Sequence, residues 1–540
     1  MLNKNKLKIS LKTCIVLISI ATLTIGCSSS SKTLPTPTIP TIPTAPSNLI
    51  VTSGIGQVGL SWSAATGATR YDVYDATTSG GPYSYVNSTS DTSMTITDLQ
   101  NGAIYYFVVR AANIAGQGWN SNEASVVLPS TPPSPIDLTA TSGNEQVTLT
   151  WKVSSSASTN SYNIYESTIT GGPYTKIGSS LNTSYTVSGL SPLNGVTYYF
   201  IVTGVNSVGE SGYSNEAGAK AYITNTYPIA SRPSGIAIDA SGNIWVTNNG
   251  GTPITYVTEL NQKGGIVMTA STGYGPGGIA IDASGNVWVA NSGSNSITEL
   301  DQSGSIITTV TIPGGPYGIA IDVYNNVWVT SSNANTVTEL LISSNFTSSQ
   351  VYNLGTGANP VGVAIDSFGD VWVTGNSGSI VAELSPRGFT VATYPLNVYT
   401  PNGIAIDTLN NIWIGNKYGG IGPLTELNVG GSAITPTYNL PMTIWTTTFE
   451  AAGIAIDASG NIWIVDYGAN PGDVIELSPK GDFINTYTVG SQPKGIAIDA
   501  SGNVWVSNSN SNTVSEIVGV AAGPQEFPYS GPQFPGGGNL

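Results

Sequence analysis

One unit recurs seven times between residues 222 and 519: Gly-Ile-Ala-Ile-Asp, a short turn, Asn-(Ile/Val)-Trp-(Val/Ile), a polar loop, then Thr-x-Thr-Glu-Leu or a relative of it. Its aspartates are Asp239, Asp282, Asp322, Asp366, Asp407, Asp457 and Asp499, spaced by 43, 40, 44, 41, 50 and 42 residues. A repeat of this length cannot bury its apolar face alone and must stack on its copies. A period of about 40–45 residues with three or four short strands per unit is that of a propeller blade. The last unit runs into a Pro/Gly-rich tail, residues 520–540, without a fourth strand. The missing strand lies at the other end. Asn225–Ser231 (NTYPIAS) parallels Asn485–Ser491 (NTYTVGS), the fourth strand of unit six. An N-terminal strand that completes the C-terminal blade removes two exposed sheet edges. The expectation is therefore a seven-bladed β-propeller over 223–519, closed by residues near 225–231 beside 512–518.

The repeat resembles the NHL repeat and the similar repeat of the streptogramin B lyase family, and the resemblance covers the whole region. It implies the fold more firmly than an activity, because one propeller carries many functions.

Upstream, two segments repeat one another, 46–130 and 134–222. Each has an early strand with a tryptophan (Trp62, Trp151), a Tyr-x-(Val/Ile)-Tyr strand (Tyr71–Tyr74, Tyr162–Tyr165) and a Gly-Gly-Pro-Tyr turn (Gly80–Tyr83, Gly171–Tyr174). Each ends with Leu99…Tyr105 or Leu190…Tyr198 leading into a long apolar strand. This pattern resembles the fibronectin type III module, a seven-stranded sandwich. The resemblance implies that Trp62 and Trp151 fill the cores and that Tyr105 and Tyr198 form the tyrosine corner. It also implies a spacer role for both modules. Trp119 and Tyr213 occupy matching places (GWNSNEA, GYSNEA), which suggests shared packing. The whole chain reads as all-β: charged residues make up only 9%, while turn formers and β-branched runs are frequent.

The N-terminus carries Lys4, Lys6, Lys8 and Lys12, an apolar run from Cys14, and Leu23-Thr24-Ile25-Gly26-Cys27. That run is too short to span a bilayer. The pattern resembles a bacterial lipoprotein signal, which implies cleavage after residue 26 and lipidation of Cys27, in a protein secreted through its signal peptide and anchored in the cell envelope. A plain signal peptide is the alternative. Residues 27–45, a serine run followed by alternating Thr and Pro, form a semi-rigid linker. With Cys14 removed, Cys27 is the one cysteine left, so no intramolecular disulfide can form. Removing the four signal lysines leaves 12 of the 16 basic residues against 31 acidic ones, which argues against nucleic acid as a partner.

The chain has no histidine. That excludes Ser-His-Asp and Cys-His nucleophile systems and histidine metal sites. It also counts against transferring lyase activity, since streptogramin B lyases use a histidine acid/base. The repeated aspartates read as turn residues and the repeated tryptophans as packing between blades. No catalytic residue, metal site or cofactor is assigned; a Ca²⁺ held by Asp, Glu and Asn oxygens, as in six-bladed lactonases, is the one ion left open.

The candidate site lies where the units break their pattern. Unit five is lengthened by Pro441–Glu450, which brings Trp445, Phe449 and Glu450 toward the face formed by the loops before the Gly-Ile-Ala strand and after the Trp strand. Neighbouring loops add Lys417, Tyr418, Asp466 and Tyr467, with Lys494 and Arg232 from the next units. Aromatic rings beside acidic and basic tips suit a polysaccharide or protein ligand; an insertion whose Trp445 packs back onto the blade is the equal alternative. The expected function is ligand binding by a cell-surface lipoprotein, the membrane being met only through the lipid. A histidine-independent lyase or lactone hydrolase and a structural envelope component are the alternatives.

Overall fold

In the computed structural model the residues described are 40–154, 159–191, 196–229, 232–250, 255–341, 346, 348–386, 389–396, 399–418, 424–428, 430–435 and 449–523. No helix occurs among them. The chain divides into two compact units, one ending at Ser130 and one beginning at Thr131.

The first unit is a sandwich. Ser47–Gly54, Gln57–Ser63 and Ser93–Ile96 form one sheet; Ser84–Thr89, Arg70–Ala76, Ile104–Asn113, Gly116–Asn120 and Ala124–Val127 form the other. Alternation drives this: in Gln57–Ser63 every second residue (Val58, Leu60, Trp62) is buried, because successive side chains of a strand point to opposite faces. Trp62 packs edge-on against Tyr71 in the core, as Trp151 does against Tyr162 in the second sandwich. The tyrosine corners are present: Tyr198 Oη donates to the Ser191 carbonyl (3.0 Å), and Tyr105 Oη accepts from the Gln100 N–H (3.1 Å). One expectation fails in part: Trp119 is 87% exposed, whereas Tyr213, 62% exposed, packs outside the core against the rings of Tyr165 and Tyr174 at 6.2 and 6.3 Å.

From Thr224 to Ile517 the described residues form seven four-stranded antiparallel sheets. Sheet one begins at Pro233–Ile238, and the first strands of sheets two to seven begin at Pro276, Pro316, Pro360, Tyr399, Ala451 and Pro493. Each first strand touches the next, and Pro493–Ile498 touches Pro233–Ile238, so the series returns on itself as a β-propeller. Closure uses the borrowed strand. Thr224–Pro228 pairs antiparallel with Thr513–Ile517, from Thr224 opposite Ile517 to Pro228 opposite Thr513.

Each repeated aspartate does more than shape a turn. Asp239 Oδ1 accepts the N–H groups of Ser241 and Asn243, while Oδ2 accepts the indole N–H of Trp245 at 3.1 Å. The same indole bond recurs from Asp282 to Trp288 through Asp499 to Trp505 at 2.9–3.2 Å. A buried indole N–H without an acceptor costs free energy, so the pair lets the largest apolar side chain enter the core. Across the hairpin each tryptophan faces the glutamate of the third strand, as Trp328 faces Glu339. Among the described residues, in four sheets a fourth-strand tyrosine stacks on that tryptophan and donates to the glutamate: Tyr227 to Glu516, Tyr352 to Glu339, Tyr394 to Glu383 and Tyr487 to Glu476, at 2.7–2.8 Å.

The second sandwich touches the propeller, its strand Ile136–Gly143 lying beside Phe483–Val489. Tyr222 is buried in one apolar cluster with Trp463, Val506 and Ile517. Its ring meets Tyr487 edge-on at 4.9 Å, and its hydroxyl accepts the Thr488 N–H.

Candidate ligand site at the channel mouth

The first strands line a central channel, and each brings a glycine to the same level, from Gly235 and Gly278 round to Gly495. The close approach of neighbouring strands requires this residue. A Cβ at Gly495 would stand 2.6 Å from the Ser234 carbonyl oxygen, and one at Gly453 would stand 2.5 Å from that of Lys494. In four sheets a hydroxyl ties neighbours together at this level. Thr330 Oγ1 accepts the Gly318 N–H and donates to the Val361 carbonyl of the next sheet, both at 2.8 Å. Thr247, Thr374 and Ser507 do the same. Ala290, Gly415 and Val465 hold that position in sheets two, five and six.

The channel encloses about 420 Å³, and the side chains that vary round it are those just before the ring glycines. Ser234, Gly277, Val361 and Ala452 are small or apolar there; Tyr317, Asn402 and Lys494 are not. Glu450 and Tyr467 complete the lining from the loops of sheet six. Lys494 Nζ lies 5.8 Å from the centre of the Tyr467 ring, within reach of a cation–π attraction.

Asp466 stands behind this lining and is 3% exposed. Its Oδ1 accepts the N–H groups of Glu450 and Gly468, both at 2.9 Å, and the Tyr467 N–H donates to the Glu450 carbonyl. Asp466 thus fixes the two loops that present Glu450 and Tyr467. Burial raises its pKa, with the nearby Glu450 carboxylate adding to the effect against the N–H donors.

Of the residues expected at the site, the structure brings Glu450, Tyr467 and Lys494 together and places Asp466 as their support. Phe449 is a correction: at 7% exposure it packs with Trp413, Leu424 and Ile464, where burial of its apolar ring is favourable. Arg232 is exposed and outside the channel lining. Trp445, Cys27 and the side chains of Lys417 and Tyr418 lie outside the described residues. Tyr317 and Asn402 were missed, although variation at the position before an invariant glycine of the repeat was a readable signal. Among the described residues no three carboxylates converge closely enough to hold a metal ion.

Comparison with known proteins places these features. The profile of the fibronectin type III domain matches residues 44–127 and 131–219. One stretch of 91 residues is 47% identical to an amylopullulanase of Thermoanaerobacter thermohydrosulfuricus, covering 16% of this chain and 6% of that protein. Exoglucanase B of Cellulomonas fimi is 28% identical over 258 residues, which is 43% of this chain and 22% of the exoglucanase. The chain therefore spans less than a quarter of either relative. Among solved structures, virginiamycin B lyase from Staphylococcus aureus is 18% identical with a TM-score of 0.49, covering 55% of this chain and 99% of that one. The profile of the virginiamycin B lyase family matches residues 223–517, more than half of the sequence, and the chain belongs to that family.

Proposed function

We propose that this protein binds a polysaccharide at the mouth of the propeller channel and does so outside the cytoplasm, anchored through a lipidated Cys27. The observation that carries the reading is the lining itself: Tyr317 and Tyr467 offer ring faces, while Lys494, Glu450 and Asn402 offer polar tips at a mouth otherwise made of glycine and small residues. Sugars are recognised in this way, with apolar C–H faces stacked on rings and hydroxyls fixed by a few polar groups. The names of the relatives that share the sandwich modules, an amylopullulanase and an exoglucanase, favour a glucan.

A glycan array probed with the full chain and with Tyr467→Ala and Lys494→Ala tests this. Binding that both changes weaken supports the reading; a glycan bound equally by all three forms, or a protein ligand in its place, overturns it. Localisation has its own test. Cys27→Ser releases the protein from the membrane fraction if the anchor is a lipid on that residue.

Family membership favours a second reading, a lyase. With no histidine in the chain, the acid/base would have to be a carboxyl group or a tyrosine, and Glu450 is the carboxyl group that lines the channel. Incubation with a streptogramin B antibiotic is expected to leave its ring closed. Ring opening that Glu450→Gln abolishes would establish the lyase.

A further inference from the structure

A second cavity, of about 980 Å³, lies away from the channel, between the second sandwich and sheet six. Two of its walls are terminal strands of their sheets, Ile136–Gly143 and Phe483–Val489. A terminal strand presents backbone groups that no further strand pairs, which makes it a template for an added one. Tyr222 occupies one position on Phe483–Val489 by accepting the Thr488 N–H at 3.2 Å; toward Phe483 the edge is open to the cavity. Thr486 lines the same stretch, and its Oγ1 is shielded from solvent with no hydrogen-bond partner among the described residues. Phe483 and Ile484 stay 39% and 46% exposed there.

The charge of the cavity is as particular as its shape. Asp466, Asp473 and Glu476 line it against a single cation, Lys220. Asp466 and Asp473 are direct cross-strand partners. At the matching pair five of the other six sheets place uncharged residues: Asn248 with Tyr256, Asn291 with Ser296, Ser331 with Thr336, Gly375 with Ile380, Asn508 with Thr513. Like charges set opposite one another in a ladder oppose folding. Among the described pairs only sheet six carries that cost, and it does so at the wall of a cavity. The three carboxyl groups do not converge on one point as ligands of an ion would. An occupant that satisfies them is long, bears separated cationic and apolar parts, and offers backbone groups to the open edge.

We propose that this cleft binds an extended peptide carrying lysine or arginine, its backbone laid along Phe483–Thr486 and its cation set against Asp473. The apolar parts of the peptide cover Phe483 and Ile484, and a peptide N–H or C=O engages Thr486 Oγ1.

Calorimetric titration of the full chain with acetyl-Val-Lys-Val-Lys-Val-Lys-amide tests the proposal, with the same peptide bearing Gln for Lys and with spermidine as comparisons. Saturable binding of the lysine peptide is expected, weakened roughly tenfold or more by Asp473→Asn and by raising salt from about 0.05 to 0.5 M. The glutamine peptide should bind far more weakly. Asp473→Asn relieves the like-charge pair, so its Tm should equal or exceed that of the unaltered chain, which separates lost binding from lost folding. Lys494→Ala at the channel mouth should leave the peptide affinity unchanged, so failure here is distinct from failure of the saccharide reading. No saturable binding, affinity indifferent to Asp473→Asn, or equal affinity for spermidine would each overturn the proposal.

Discussion

Sheets three and six are built from the same unit and have different tasks. In sheet three, Thr330 bridges to the next sheet, Asp322 holds the Trp328 indole, and Tyr352 stacks on that indole while bonding Glu339. Sheet six keeps the buried pair of Asp457 with Trp463 and the stacked Tyr487. At the channel end it departs: Val465 replaces the bridging hydroxyl, Asp466 and Asp473 replace a neutral pair, and Glu450 and Tyr467 enter the channel. The repeat is thus conserved within the chain where it packs and varied where it faces a cavity. Stability is concentrated at one end of each sheet, and chemical individuality at the other.

The comparison can be broken most forcefully by removing the packing. Trp328→Ala should cost about 3–5 kcal/mol, read as a large fall in Tm, whereas Tyr467→Ala at the channel mouth should stay within about 0.5 kcal/mol. Equal effects would mean the two ends are not separate. Next comes the acceptor. Asp322→Ala leaves the buried Trp328 N–H and two turn N–H groups without their carboxylate, a loss of about 2–3 kcal/mol in thermal unfolding. Asp466→Ala should cost less, because it also relieves the charge facing Asp473, yet abolish ligand binding by freeing the loops of Glu450 and Tyr467. A smaller effect, about 1 kcal/mol, is expected for Thr330→Val, which removes one bridge between sheets.

The last effect is in pH. Burial raises the Glu476 carboxyl to about 7, helped by the Asp457 charge and opposed by the Tyr487 hydroxyl and Lys220. The folded chain therefore holds a proton there that the unfolded chain has released, and this group makes stability fall as pH rises from about 4.5 to about 7. Glu476→Gln should flatten that fall in Tm by a few degrees. An unchanged slope would show that Glu476 is already charged in the folded state.

Much of this was legible in the sequence because the repeat samples one environment several times. Aspartate and tryptophan recur in register, so their burial could be read, and Asn225–Tyr227 betrayed the borrowed strand by its likeness to Asn485–Tyr487. The bond between aspartate and tryptophan was not legible, since it forms across a hairpin between residues six apart that each have an adequate explanation alone. The insertion of unit five misled for a related reason. With one copy there is no register to consult, and the Phe449 ring, which looked like part of a binding face, points into the core beside Trp413. Trp119 and Tyr213 hold one place in the two modules, and there repetition suggested a shared packing, which Tyr213 has against Tyr165 and Tyr174 while Trp119 is exposed: a pattern shared by two copies reports a shared place and not shared contacts.

Tyr222 stands two residues before the strand that closes the ring. Tension arriving along the chain from its N-terminal side would load that closing strand first, pulling Thr224–Pro228 away from Thr513–Ile517. Because the Tyr222 side chain is seated between Tyr487 and Ile517, part of the pull passes into the packed bodies of two sheets before any ladder hydrogen bond is stretched. The residue works as a strain relief, as the clamp at the end of a cable protects its solder joint. Held at constant force, a Tyr222→Ala chain should open its ring at lower load than the unaltered protein.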